Sequence, residues 1–160
     1  MYQIRAAKKD DLNEIIALVK ELAEYEKMSD KIKFNYDEFA SSIFEKNYAK
    51  ILVCQRGENI IGYAIYFYTF SSFLGRGGIY LEDLYVKAKY RNQGIGKRFL
   101  AKLAQICLDE NLGRLEWECL TWNEPSLAFY HKIGAKNRDE FFHLRVDGKE
   151  LENLANFIKD

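Results

Sequence analysis

Two adjacent carboxylates, Glu82 and Asp83, sit inside the apolar run Ile79 to Val86 (IYLEDLYV), and a basic, glycine-containing stretch follows at once from Lys87 to Lys97 (KAKYRNQGIGK). A carboxylate can take a proton from an ammonium or hold it by charge, and glycines let an anion approach backbone N–H groups closely. Lys87, Lys89, Arg91, Lys97 and Arg98 supply positive charge around Gly94 and Gly96. Two nucleotide fingerprints invite comparison and both fail. A dinucleotide fold needs Gly or Ala where Phe99 stands, and a phosphate loop of the nucleotide hydrolases needs Gly at position 91 and Ser or Thr at position 98, both of which are Arg. What remains is a set of parts able to hold a pyrophosphate at a helix start. Three carboxylates also crowd the segment ELAEYE (21–26), with Tyr25 among them. Acidic groups at a helix C-terminus oppose the helix dipole, which makes this end unusual although a solvated surface also explains it.

Periodicity names the elements that must position these groups. Tyr2 to Arg5 reads as a short strand, and Leu12, Ile15, Ile16, Val19, Leu22 and Ala23 recur at helical spacing, with Asp11 and Glu14 placed as a capping box. Asn35 and Glu38 form a second capping pair ahead of Phe39, Ile43 and Phe44. Ile51 to Gln55 and Ile60 to Phe70 read as a hairpin around Arg56 to Asn59, and Gly75 to Gly78 separates the second strand from Ile79 to Val86. Strand alternation places Glu82 and Asp83 on opposite faces. After Gly96 a helix presents Leu100, Leu103, Ala104 and Cys107 on one side, with Cys107 as a core residue. Arg114 to Thr121 alternates, with Leu115, Trp117 and Cys119 on one side and Glu116 and Glu118 on the wet side. Asn123 caps a helix with Pro125 in its first turn, Tyr130 riding on it and Gly134 marking its end. Phe141 to Val146 reads as a last strand and Leu151 to Ile158 as a closing helix. The order predicts an α/β or α+β layered fold, a mixed and largely antiparallel sheet flanked by helices, in one domain over residues 1–160.

Composition limits the function classes. Lys+Arg and Asp+Glu both number 24, so no global field draws the chain to nucleic acid or an anionic membrane. Cys54, Cys107 and Cys119 have no metal-ligand spacing and are odd in number, and His131 and His143 are isolated, so neither a disulfide framework nor a metal site is expected. The apolar run from Ile60 to Phe70 is too short to span a bilayer, and a cytoplasmic location follows as the expectation.

Four stretches carry a resemblance. R-x-x-G-x-G after a strand ending Leu84-Tyr85-Val86 resembles the coenzyme A loop of the Gcn5-related N-acetyltransferase (GNAT) superfamily, and the order of elements resembles that acyl-CoA N-acyltransferase fold. KELAEYE (20–26), YLEDLYV (80–86), YRNQGIGK (90–97) and WNEPSLAFY (122–130) together resemble the diamine acetyltransferases, the spermidine/spermine N1-acetyltransferase group. The resemblance implies acetyl-CoA as acetyl donor, a primary amine as acceptor, and a homodimer. It implies Glu82 as general base and Tyr130 as general acid toward the departing thiolate. Cofactor contacts are implied for Leu84, Tyr85, Val86, Arg91, Asn92, Gln93, Gly94, Ile95, Gly96, Lys97, Asn123, Ser126 and Tyr130, with the Leu84 amide polarising the acetyl carbonyl. Glu24, Tyr25, Glu26, Glu82, Asp83 and Trp122 are the implied amine-binding groups; a ring of Tyr25 or Trp122 would add roughly 0.5–2 kcal/mol to an ammonium. Phe142 stands where the family has Trp, and a branch of the same family prefers thialysine and related lysine-like amines, so that acceptor, another amino acid or a protein amine is the alternative. A coenzyme A-binding regulator without turnover is a further one.

Overall fold

Strand alternation resolves into one five-stranded sheet in the order β1 (Gln3–Ala6), β2 (Lys50–Arg56), β3 (Asn59–Ser71), β4 (Arg76–Val86) and β5 (Leu115–Trp117). The computed structural model describes residues 1–159. The first four strands form an antiparallel meander, and β5 runs parallel to β4 after a crossover through a helix. The helices are α1 (Leu12–Tyr25), α2 (Tyr36–Ala40), α3 (Ile95–Asp109), α4 (Glu124–Lys132) and α5 (Gly148–Asn156). Met1–Glu118 makes one compact unit, holding the whole sheet and α1 to α3; the chain from Cys119 makes a second, holding α4 and α5. The mixed, largely antiparallel sheet flanked by helices is the architecture the residue pattern predicts.

In the first unit, Ile15 and Leu18 of α1 pack on Ile51, Val53, Tyr63, Ile65 and Tyr85 from one face of the sheet. The other face meets α3, whose Ile95, Phe99, Leu100, Leu103 and Cys107 are buried, while Ala104 is exposed. Gly62, in the middle of β3, is dictated by close approach: a Cβ there would lie 2.7 Å from the Tyr85 carbonyl oxygen.

Several local expectations change. The Asn35 and Glu38 box forms, with Glu38 N donating to Asn35 Oδ1 at 2.9 Å and Asn35 N to Glu38 Oε2 at 3.2 Å. Asp11 does not cap α1: its own backbone is already helical, and its carboxylate is taken by Arg5 at 2.6 and 2.8 Å and by the Lys8 N–H at 2.6 Å. Glu14 instead accepts the Ile60 N–H at 3.0 Å, pinning α1 to β3. Gly77 and Gly78 lie inside β4, which starts at Arg76. The strand expected over Arg114 to Thr121 pairs only over Leu115–Trp117. Phe141 to Val146 is not a strand; its unit contains no other strand among the described residues, and an extended run needs a neighbour to supply its hydrogen bonds. Phe141, Phe142, Leu144 and Val146 are exposed.

Gly62→Ala forces the new methyl against backbone and should cost about 1–3 kcal/mol of stability, read as a lower midpoint in urea unfolding of the purified protein.

Candidate active site

A β-bulge organises the site. Ile65 of β3 faces Asp83 and Tyr66 faces Leu81, so Glu82 is the extra residue on β4, with no partner across the strand. An inserted residue shifts the alternation by one. Glu82 and Asp83, expected on opposite faces, therefore line the same cavity, together with Val19, Phe34, Glu38, Phe39, Ser42, Ile43 and Ile65. The cavity holds about 340 Å³, at the small end of ligand pockets. The segment Ser41–Glu45, which continues α2 as a π-helix, supplies Ser42 and Ile43.

Burial lifts the Asp83 carboxyl to about 6, and the charges of Glu82 and Glu26 push the same way, against the hydrogen bond that Tyr63 Oη donates to Asp83 Oδ2 at 3.1 Å. Tyr63 is fully buried and its phenol is driven well above the ordinary value, first by burial and then by Asp83. Burial also raises Glu26. Tyr80 joins the acidic surface: burial, then the Glu118 carboxylate, which accepts its hydrogen bond, then Glu82 and Glu116, hold its hydroxyl proton firmly. Glu24 is exposed and does not line the cavity, and neither do Tyr25 or Glu26, although the Glu26 charge reaches Asp83.

The edge of β4 that faces β5 is paired only as far as Leu81, opposite Trp117. Among the described residues no strand pairs with that edge from Glu82 to Val86, the kind of edge to which an extended ligand can add. The loop after β4 is held by Arg91. Its Nε donates to the Val86 carbonyl at 2.9 Å, and its guanidinium lies 4.8 Å from the Tyr25 ring and 5.3 Å from the Tyr85 ring. Tyr25 thus has an arginine of its own chain over its ring. Tyr85 is also tied to α1 through Glu21, at 3.0 Å. Asn92 (φ 61°) and Gly94 (φ 77°) adopt left-handed conformations, and a Cβ on Gly94 would meet nothing within 4 Å.

Gly94 is the N-cap of α3 and brings no side chain to cap it. The first-turn N–H groups of that 15-residue helix are then open to an anion, with the exposed Asn92, Gln93 and Lys97 around them. This fits the pyrophosphate of a coenzyme A. Ile95 is 2% exposed, so only its backbone can serve a ligand. Arg98, counted as loop charge from the sequence, lies over the Tyr2 ring at 5.0 Å.

Trp122, Asn123, Ser126 and Tyr130 belong to the second unit. Asn123, 6% exposed, caps α4 by accepting the Ser126 N–H at 3.4 Å, and Tyr130, half-buried, follows Ser126 by about one turn with its ring 5.3 Å from Phe129. Trp122 is exposed. The sequence pattern missed Tyr63, Phe34 and Glu38 as site groups. Only the capping pair drew notice to Glu38, and there as a structural feature.

Known proteins are similar to this chain in sequence and fold. The profile of the "Acetyltransferase (GNAT) family" matches residues 12–135. Thialysine N-epsilon-acetyltransferase of Bos taurus is 35% identical over 164 residues, covering 95% of this chain and 96% of its own. Spermidine/spermine N(1)-acetyltransferase-like protein 1 of Homo sapiens is 32% identical, over 96% of this chain and 24% of its own. Among solved structures, an integron cassette protein from the mobile metagenome of V. cholerae superposes with a TM-score of 0.81 at 27% identity, covering 96% and 97% of the two chains.

Asp83 binds protons more tightly folded than unfolded, so its contribution to stability is complete below its ordinary value of 3.8 and is lost as pH rises through about 6. The loss amounts to at most about 3 kcal/mol. Asp83→Asn should flatten that part of the stability curve between pH 4 and 7, measured by urea unfolding at each pH; a parallel curve would place the proton elsewhere.

Proposed function

Because the chain belongs to the GNAT family of acetyltransferases, we propose that it transfers the acetyl group of acetyl-CoA to a primary amine of a small di- or polyamine, by direct attack in a ternary complex. The observation that carries the acceptor class is the cavity in which Glu82 and Asp83 meet. Three of its nine lining residues, Glu38, Glu82 and Asp83, are acids and none is Lys or Arg. An α-amino acid would bring a carboxylate among those acids without a cation to receive it. The same proposal takes residues 1–160 as one catalytic domain, since the family profile runs from residue 12 to 135, across the boundary between the two compact units.

Acetyl-CoA supplies an activated acetyl thioester. The open helix start at Gly94, with Arg91, Asn92, Gln93, Gly96 and Lys97, holds its pyrophosphate, and the free β4 edge from Leu84 to Val86 receives the arm, with the Leu84 amide polarising the carbonyl. Glu82 takes a proton from the bound ammonium, directly or through water, and frees the lone pair that attacks. Asp83, charged at neutral pH yet more basic than an ordinary carboxylate, holds the ammonium beside it. Tyr130 donates its phenolic proton to the departing sulfur, with Asn123 and Ser126 setting the start of its helix. Trp122 and the acids of the α1 exit contribute to amine binding, with Glu26 acting through its charge on Asp83. A homodimer and a cytoplasmic location complete the proposal. Among the described residues no helix is long and apolar enough to cross a membrane.

A second reading has thialysine as the acceptor, favoured by the 35% identity to an enzyme of that name. Thiol release from acetyl-CoA with putrescine, spermidine, thialysine and lysine separates the two; the cavity predicts the highest kcat/KM for the first pair. Glu82→Gln should lower the rate about 10²–10⁴-fold, most severely at low pH where the amine is protonated. Tyr130→Phe should lower kcat with little change in acetyl-CoA affinity, and an unchanged kcat would remove its acid role.

A further inference from the structure

The cavity has a third carboxylate that comes from α2 and not from β4. Glu38 is the third residue of α2, and its reciprocal bonds with Asn35 fix where its side chain sits. Helix capping uses one lone pair of one carboxylate oxygen, and a carboxylate has about four such sites. The others remain available to a cation.

The lining that this acid shares with Glu82 and Asp83 is otherwise mostly apolar. Val19 of α1, Phe34, Phe39, Ile43 and Ile65 of β3 make up the rest of the lining apart from Ser42, and the Phe34 and Phe39 rings pack 4.9 Å apart. A chain of methylenes suits those walls. Charge is therefore offered at two places, at Glu38 on the helical side and at Glu82 with Asp83 on the strand side, with an apolar lining shared between them.

We infer that Glu38 is a specificity-determining residue: it holds the second, non-reacting cation of the acceptor while the reacting amine lies at Glu82 and Asp83, so that the cavity selects alkyl amines carrying two positive charges over those carrying one. This rests on the amine acetyltransferase reading above. A lone ammonium gains only the strand-side acids and leaves Glu38 without a counter-charge. An acceptor with a carboxylate at its far end is repelled.

The test compares putrescine with butylamine, which has the same four-carbon chain and no second charge. Glu38→Gln keeps the cap, since a Gln side chain can accept the same N–H. It should reduce the ratio of kcat/KM for putrescine over butylamine by about 10- to 100-fold, the range for losing one charge-assisted hydrogen bond, with an unchanged melting temperature. Glu38→Lys should reverse the selection and raise kcat/KM for γ-aminobutyrate relative to putrescine. A ratio that stays constant in Glu38→Gln, or no gain for γ-aminobutyrate in a folded Glu38→Lys, overturns the inference while leaving the acetyltransferase reading intact. If the parent protein acetylated no amine, that reading would fall, and calorimetric titration of putrescine into parent and Glu38→Gln would still decide the subsite: equal affinities overturn it, and a 10-fold weaker variant sustains it.

Discussion

The bulge at Glu82 is the constraint on which the rest of the site depends. A regular β4 would have sent Glu82 to the α3 side of the sheet, into the layer of Leu103 and Phe99, where an ionised carboxylate has no partner and burial is costly. One additional residue opposite Ile65 and Tyr66 puts Glu82 and Asp83 on the α1 face together and returns Leu81 to the core at 2% exposure. The pairing of β4 with β5 also ends at that point. The two features that the proposed acyl transfer draws on, an acid pair on one face and a strand edge without a β partner, thus coincide at one irregularity.

Placing two acids side by side has an electrostatic cost, and the surroundings divide it unequally. Asp83 lies deeper and accepts a hydrogen bond from a fully buried tyrosine, yet burial and the neighbouring charges of Glu82 and Glu26 outweigh that bond and raise its proton affinity. Glu82 is exposed. A bound cation would relieve the repulsion among these groups, so part of the affinity for an ammonium is stored as unfavourable charge in the free protein. Arg91 contributes by a different route. Its hydrogen bond to Val86 and its contacts with the Tyr25 and Tyr85 rings brace the turn from β4 toward α3, which joins the glycine-containing loop to the same strand that holds the acids.

Much of this was legible in the residues, for reasons that also mark the limits. The loop from Lys87 to Lys97 is readable because left-handed backbone and open amides demand glycine, and Gly94 stands at such a position. The cap at Asn35 is readable because its partners are local. The equally plausible cap at Asp11 fails because its carboxylate is taken upstream, by Arg5 of the neighbouring strand and by the Lys8 N–H. A bulge leaves no mark in alternation, since register is a property of two strands, so the shared face of Glu82 and Asp83 could not be read from either one. Tyr63 and Glu38 were hidden likewise, each having a sufficient local explanation as a core aromatic and a helix cap. Phe141 to Val146 carries a strand pattern, but its unit offers it no strand to pair with.

Neutrality of the whole chain and acidity of the site belong together. With 24 residues of each sign there is no long-range field to collect cations, and at physiological salt such a field would fade within about 8 Å in any case. A small cation is then recognised only by what it touches. Contact selection works best where the walls match the ligand, and a lining of acids and apolar side chains suits an alkyl ammonium. On the inference above, discrimination resides in acids placed by two separate elements, α2 and β4: one through a helix cap, the other through a bulge. Neither device depends on the other, so the far acid can change among related chains while the reacting end stays constant, and a single acetyl-transfer apparatus can serve acceptors that differ only beyond the amine that reacts.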